Sequence, residues 1–278
     1  MKFEQTEVMN FEGALRGMRN PLNSWNKSDS SFGIFCEHEE NEEVYEVAHT
    51  WVHAETKDIV DCNDICEMED QIFDERLEWL YKNGMRYMSD DHHYHANYIG
   101  PNDMNLAKRL IAGGTEHRKF LRQIMVSVDI TAPLYWWKEF DTYKVGTTAN
   151  STSTMHKLAS TPITLDCFEI DDFEDCIIES REILDTTVFK YTTGDFAKEL
   201  IESLECLRQK YNETGDKRYW KELIRWLPNG WLQTRTVTMN YENLRSMYHQ
   251  REHHKLTEWH AFCDWVKELP YAQELIID

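Results

Sequence analysis

Residues 235–253 read RTVTMNYENLRSMYHQREH. Arg235–Met239, rich in Thr and Val, is a short extended stretch. Tyr241–His253 then reads as a helix, with Asn240 at the junction, where a short amide side chain serves as N-cap. Eleven residues, about three turns, separate Asn240 from Arg251, so the two lie on one helix face. An amide and a guanidinium in that relation suit a nucleotide, the guanidinium meeting phosphate and the amide meeting base or ribose. Each also has a plainer reading, Asn240 as a cap alone and Arg251 as a surface charge.

Outward from this stretch, helices alternate with few strands. Upstream lie helices over Phe196–Tyr211 and Lys217–Trp226, joined by a turn at 213–216, then a second turn at Leu227–Gly230 with Arg225 just before it. Downstream, Glu258–Leu269 is a helix that turns Trp259, Phe262, Trp265 and Val266 inward. Residues 100–114 form a helix with Asp103 as N-cap and Gly113-Gly114 at its end. Glu116-His117-x-x-Phe120 leads into a strand over Phe120–Ile130, where Ile124, Val126, Val128 and Ile130 share a face. His117 here is either a ligand-facing imidazole or a capped core histidine. Ala132–Lys144 reads as a helix, with Pro133 in its first turn and Tyr135, Trp136, Trp137 and Phe140 on a buried aromatic face. The hydroxyl-rich loop VGTTANSTSTMH, residues 145–156, follows. Helices over Met9–Met18 and Gln71–Asn83 complete an α+β, helix-dominated pattern.

Charge is distributed unevenly. The 278 residues carry a net −20, yet residues 37–78 hold −14 and residues 166–185 hold −8, so the remaining 216 sum to +2. The acidity belongs to an insertion at 37–99 and a second segment at 160–195. It excludes general binding to nucleic acid or anionic membranes, and leaves room for a pocket that takes one small anion. No run reaches the roughly 20 apolar residues that span a bilayer. MKFEQTEVMNFEG at the start lacks the apolar core of a secretory signal. Seven scattered cysteines read as reduced thiols of a cytoplasmic protein.

Cys62-x-x-x-Cys66 has no second pair at ligand spacing, and Cys263 reads as a small buried hydrophobe. The run Asp90–His95, with His92, His93 and His95, is either a metal-binding cluster or a solvated loop. The commonest nucleotide-loop, nucleophile-elbow and zinc-protease motifs are missing from the sequence.

In their order, Gly113-Gly114, Glu116-His117-x-x-Phe120, the aromatic helix, TYKVGTTANSTS at 142–153, Arg225-Trp-Leu-Pro228 and the Asn240-to-Arg251 interval resemble the flavin-dependent thymidylate synthases. The resemblance covers residues 100–157 and 217–269. It implies a single domain over residues 1–278 with a small, mainly antiparallel sheet, and a homotetramer whose sites are shared between subunits. It implies FAD and dUMP as ligands, and transfer of a methyl or one-carbon unit to the base without a cysteine nucleophile. Carried over by position, His117, Asn240 and Lys144 serve the flavin, while Arg251, Arg225, Thr147, Ser151 and Ser153 serve the pyrimidine nucleotide. No catalytic residue is assigned.

Three positions depart from the pattern. Thr142-Tyr143-Lys144 stands where the family has Arg-His-Arg, Glu242 replaces the Arg of Asn-x-Arg, and Arg225 lies one residue too close to Leu-Pro. A buried, unpaired carboxylate costs several kcal/mol. Glu242 therefore meets a cation or faces a different ligand. These departures keep two alternatives open: a protein that retains the fold and a nucleotide pocket without the transfer chemistry, and an interaction protein of a phage or mobile element whose acidic segments bind a basic partner.

Overall fold

The strand β1 (Lys2–Met9) opens the chain. The sequence reading places no strand there. α1 (Phe11–Arg19) follows, after Asn10 in the left-handed region (φ 69°). The structure, a computed structural model, describes residues 1–36, 51–52, 59–60, 86–88, 93–170, 175–183 and 187–278. The helix expected over 71–83, Cys62, Cys66 and His92 lie outside the described residues.

Next come β2 (Ser31–Cys36), β3 (Trp51–Val52), β4 (Ile59–Val60), β5 (Arg86–Met88), β6 (His93–Tyr98) and α2 (Pro101–Ala112). β7 (Met125–Pro133), α3 (Leu134–Phe140), β8 (Thr148–Ser151) and α4 (Thr154–Lys157) lead to a hairpin of β9 (Ile177–Ile183) and β10 (Thr187–Thr192). The chain closes with α5 (Thr193–Thr214), α6 (Lys217–Trp226), β11 (Leu232–Asn240), α7 (Tyr241–Arg251) and α8 (Thr257–Lys267). A four-stranded sheet runs in the order β1-β7-β11-β8. The β9–β10 pair is antiparallel, as are the pairs of the β2-β6-β5 sheet. The chain is thus α+β with helices dominant. Among the described residues no helix is long and apolar enough to cross a membrane.

Several boundaries differ from the sequence expectation for identifiable reasons. Lys119–Arg122 forms a 3-10 turn, so the strand begins at Met125 rather than Phe120. Its alternation holds, with Val126, Val128, Ile130 and Ala132 fully buried. Pro133 ends that strand with extended backbone (φ −70°, ψ 152°), and α3 is shorter than expected, Leu134–Phe140. The hydroxyl-rich loop contains the short exposed strand β8. Part of the second acidic segment folds as the β9–β10 hairpin.

Asp103 is a correction. It does not cap α2: Gly100 occupies the N-cap position, and the Asp29 carboxylate accepts from the Asn102 and Asp103 amides at 2.8 and 3.1 Å. The Asp103 side chain, 0% exposed, turns inward and accepts from Arg19 Nε at 2.5 Å, Ser28 Oγ at 2.6 Å and Ser30 Oγ at 2.5 Å. Three donors on one buried carboxylate satisfy it as burial demands.

Two compact units can be told apart. The first comprises Met1–Glu4, Asp129–Lys144 and Ala149–Val237. Its aromatic core is the triad Trp136, Trp137 and Phe140, with ring centroids 4.9–5.3 Å apart. A separate cluster there gathers Leu158, Ile163, Phe168, Leu204 and Leu223. The second unit comprises Gln5–Val128, Val145–Thr148 and Thr238–Asp278. Phe11 packs edge-on against Tyr241 at 5.6 Å, and the Tyr241 hydroxyl donates to the Pro270 carbonyl at 2.6 Å. Trp259, Phe262 and Val266 of α8 are fully buried, as the inward face read from the sequence requires.

Candidate functional site

The second unit brings together the N-terminus of α7 and the turn at Val145-Gly146. Asn240 is the N-cap: its Oδ1 accepts from the Asn243 amide at 3.0 Å, and Asn243 Oδ1 accepts in return from the Asn240 amide at 3.4 Å. Asn240 is the cap expected from the sequence, and Asn243 adds the reciprocal half, Asn-x-x-Asn placing two short amides where each satisfies an unpaired N–H. Asn243 Nδ2 also donates to the Val145 carbonyl at 2.7 Å. Gly146 has φ +80°, and a Cβ there would lie 2.8 Å from Asn243 Oδ1 and 3.0 Å from Asn240 Nδ2. Glycine is required on both counts. Asn240 itself is only 7% exposed.

Glu242, in the first turn of α7, meets Arg118 Nε at 2.8 Å, with both side chains mostly buried. Of the two outcomes open to Glu242, a cation or a different ligand, the first is found, in the residue next to His117. Arg245, one turn further along, donates to the Ile276 carbonyl at 2.7 Å. Burial, and then the neighbouring Arg118 charge, pull its guanidinium below the ordinary value. His117 is exposed, its ring set against Gly113, rather than a core histidine. Arg251 is the last residue of α7, where a cation complements the negative end of the helix dipole. Its guanidinium lies 4.8 Å from the centroid of the Trp259 ring. Thr147 is half-buried.

The remaining expected site residues fall in the first unit. Lys144 and Ser151 are exposed and Ser153 is half-buried. Arg225 is half-exposed and pairs with Glu222 on α6. Among the described residues no group of three or more His, Cys, Asp or Glu is placed to hold a metal ion. Cys263 is 3% exposed, and burial pushes its thiol up to about 11. It is protonated at neutral pH and packs as the small hydrophobe expected.

One constellation escaped the sequence reading. Arg235, on β11, stacks its guanidinium 4.2 Å from the Trp137 ring centroid, donates to Asp141 Oδ1 at 2.7 Å and donates to Gln233 Oε1 at 3.0 Å. The one local signal for it is the two-residue spacing of Gln233 and Arg235, which puts both on the same face of a strand.

No family model matches the chain, and no curated protein matches it. Among solved structures, thymidylate synthase X (ThyX) from Helicobacter pylori, crystallised with FAD and dUMP, is similar over 99% of this chain and 97% of that one, at 12% identity and a TM-score of 0.53. A UMP/dUMP methylase, PolB from Streptomyces cacaoi bound with 5-Br dUMP, aligns over 64% of this chain and 81% of that one, at 16% identity and a TM-score of 0.46. The first of these likenesses, nearly end to end on both chains, shows that the chain has a ThyX-like fold.

Proposed function

We propose that this protein binds a pyrimidine nucleotide of the dUMP kind together with FAD, and transfers a methyl or one-carbon unit to the base. The observation that supports this reading most is α7 on a ThyX-like fold, with Asn240 at its cap and Arg251 in its last turn on one face. Eleven residues at 1.5 Å each separate the two by about 16 Å along the axis, a span for two ligand groups rather than one. Arg251 takes the nucleotide phosphate, its guanidinium held by the Trp259 face. Thr147, Ser151 and Ser153 supply hydroxyls to phosphate or ribose. Arg225 adds a second guanidinium on leaving Glu222, an exposed pair that costs little to open.

The residues assigned to FAD fit an anionic, hydrogen-bonding ligand. Asn240 keeps Nδ2 beside Gly146 while Oδ1 serves the cap. His117 presents an exposed ring, Lys144 an exposed ammonium, and Arg118 neutralises the Glu242 charge. When bound and reduced, the flavin would supply the reducing equivalents for the one-carbon unit. The chain's own residues bind and orient, and the buried, protonated Cys263 attacks nothing. A homotetramer in the cytoplasm belongs to the same proposal, and light scattering tests the assembly.

A second reading, nucleotide binding without transfer, is favoured by Thr142 and Tyr143 standing in place of an arginine and a histidine, and by Asn240 being mostly buried. The visible absorbance spectrum of freshly purified protein, before and after FAD is added, separates the two. Flavin bands that change on adding dUMP support the first. A colourless protein that ignores FAD yet melts higher with dUMP supports the second. A protein that responds to neither ligand overturns both.

A further inference from the structure

Three consecutive residues of β11 reach both ends of the segment from Thr142 to Thr152, which holds most of the hydroxyl-rich loop. At its start, Arg235 Nη1 donates to Asp141 Oδ1 at 2.7 Å, one residue before Thr142. At its end, Gln233 Nε2 donates to the Thr152 carbonyl at 2.8 Å, and the Thr152 amide donates to the Thr234 carbonyl at 2.9 Å. The two ends are joined, because Arg235 Nε donates to Gln233 Oε1 at 3.0 Å. An unbroken hydrogen-bonded chain therefore runs Asp141–Arg235–Gln233–Thr152. Trp137 seals it: its ring lies under the guanidinium, and its Nε1 donates to the Gln233 carbonyl at 2.9 Å.

The middle of the chain is shielded, with Gln233 8% exposed and the Arg235 side chain 14% exposed, while Asp141 at its outer end is half exposed. Burying a guanidinium and an amide is costly unless every group is matched, and here both ends of the Gln233 amide are used. Apolar side chains of similar volume fill such a place at no electrostatic cost. What polar residues add is geometry. A guanidinium is a rigid fork, so its two bonds fix Asp141 relative to Gln233 in direction as well as distance. Between the fixed ends the chain presents β8, Thr148–Ser151, exposed along its whole length.

We propose that Arg235 is a positioning residue: through Asp141 and Gln233 it holds both ends of the loop from Thr142 to Thr152 in the shape that receives the nucleotide. This rests on the reading of that loop as nucleotide-binding. A loop held in one shape binds without a further ordering cost, whereas a released loop must be ordered by the ligand.

The test compares full-length wild type with R235M, which leaves an apolar side chain over Trp137 and loses both bonds, and with R235K and D141N. Amide exchange across 142–152 and dUMP affinity by calorimetry are read at a temperature where circular dichroism shows each variant folded. R235M is expected to raise exchange across the loop and weaken dUMP binding about tenfold. R235K, which keeps the pair with Asp141, returns affinity to within about threefold of wild type. D141N lies at the surface, so it reports on the chain even where R235M fails to fold. The R235M/D141N double variant binds no more weakly than R235M, because the two act in series.

Wild-type exchange across the loop in R235M and D141N, or faster exchange with unchanged affinity, overturns the positioning role. Absence of dUMP binding by wild type, with faster loop exchange in R235M, removes the nucleotide reading while the mechanical link stands.

Discussion

Asp103 and Gly146 show how single residues take roles that their neighbours in sequence do not announce. Asp103 reads from the sequence as an N-cap, yet it lies inside the first turn with its carboxylate as the buried partner of Arg19, and the capping is done by Asp29 from a distant part of the chain. Replacing Asp103 with Ala strands the Arg19 charge, so urea unfolding should show a loss of about 3–5 kcal/mol. A loss below about 1 kcal/mol contradicts the arrangement. Gly146→Ala must hold φ near +80° and push against Asn243, which is committed at both ends of its amide. The same assay should show a loss of about 1–3 kcal/mol. Glu242 is the opposite case. A cation was one of the two outcomes legible for it, and Arg118 supplies it. Which cation was not legible, because the two residues, 124 positions apart, are brought together only by the fold.

At the scale of elements, the sequence was most informative where capping and periodicity agree. α6 runs from Lys217 to Trp226 as read, behind Asp216, whose carboxylate accepts from the Arg218 amide at 2.9 Å. α7 begins at Tyr241 as read, because Asn240 and Asn243 cap it locally. β1 was not legible, since its pairing beside β7 comes from distant chain. Asn240 and Arg251 emerged from spacing within one helix. Arg235 did not, because its partners Asp141 and Trp137 lie on another element.

α5 shows a tie of the same long-range kind. Glu205 accepts from the Ile163 amide at 2.8 Å and from Arg208 at 2.6 and 2.7 Å. The Arg208 bonds, with help from the Ile163 amide, hold its carboxyl down at about 2. A folded-state value below the unfolded one means stabilisation that is complete above about pH 4.5 and disappears as pH falls toward 2. Glu205→Gln should therefore lower stability at pH 7 and flatten its decline between pH 5 and about 2, measured by thermal melts. An unchanged acid profile contradicts the tie.

For the whole molecule, the near end-to-end likeness to ThyX from Helicobacter pylori establishes the fold, and the chemistry must come from this chain's own residues. The net charge of −20 is compatible with an anionic ligand because it is concentrated in two segments, outside the helix that bears Asn240 and Arg251. Calorimetric titration of dUMP into wild type and Arg251→Ala is the most direct measurement. Saturable binding to wild type is expected, weakened by about 2–4 kcal/mol in the variant, as for a charge-assisted phosphate contact. Equal affinity for both proteins, or no binding to wild type, would contradict it.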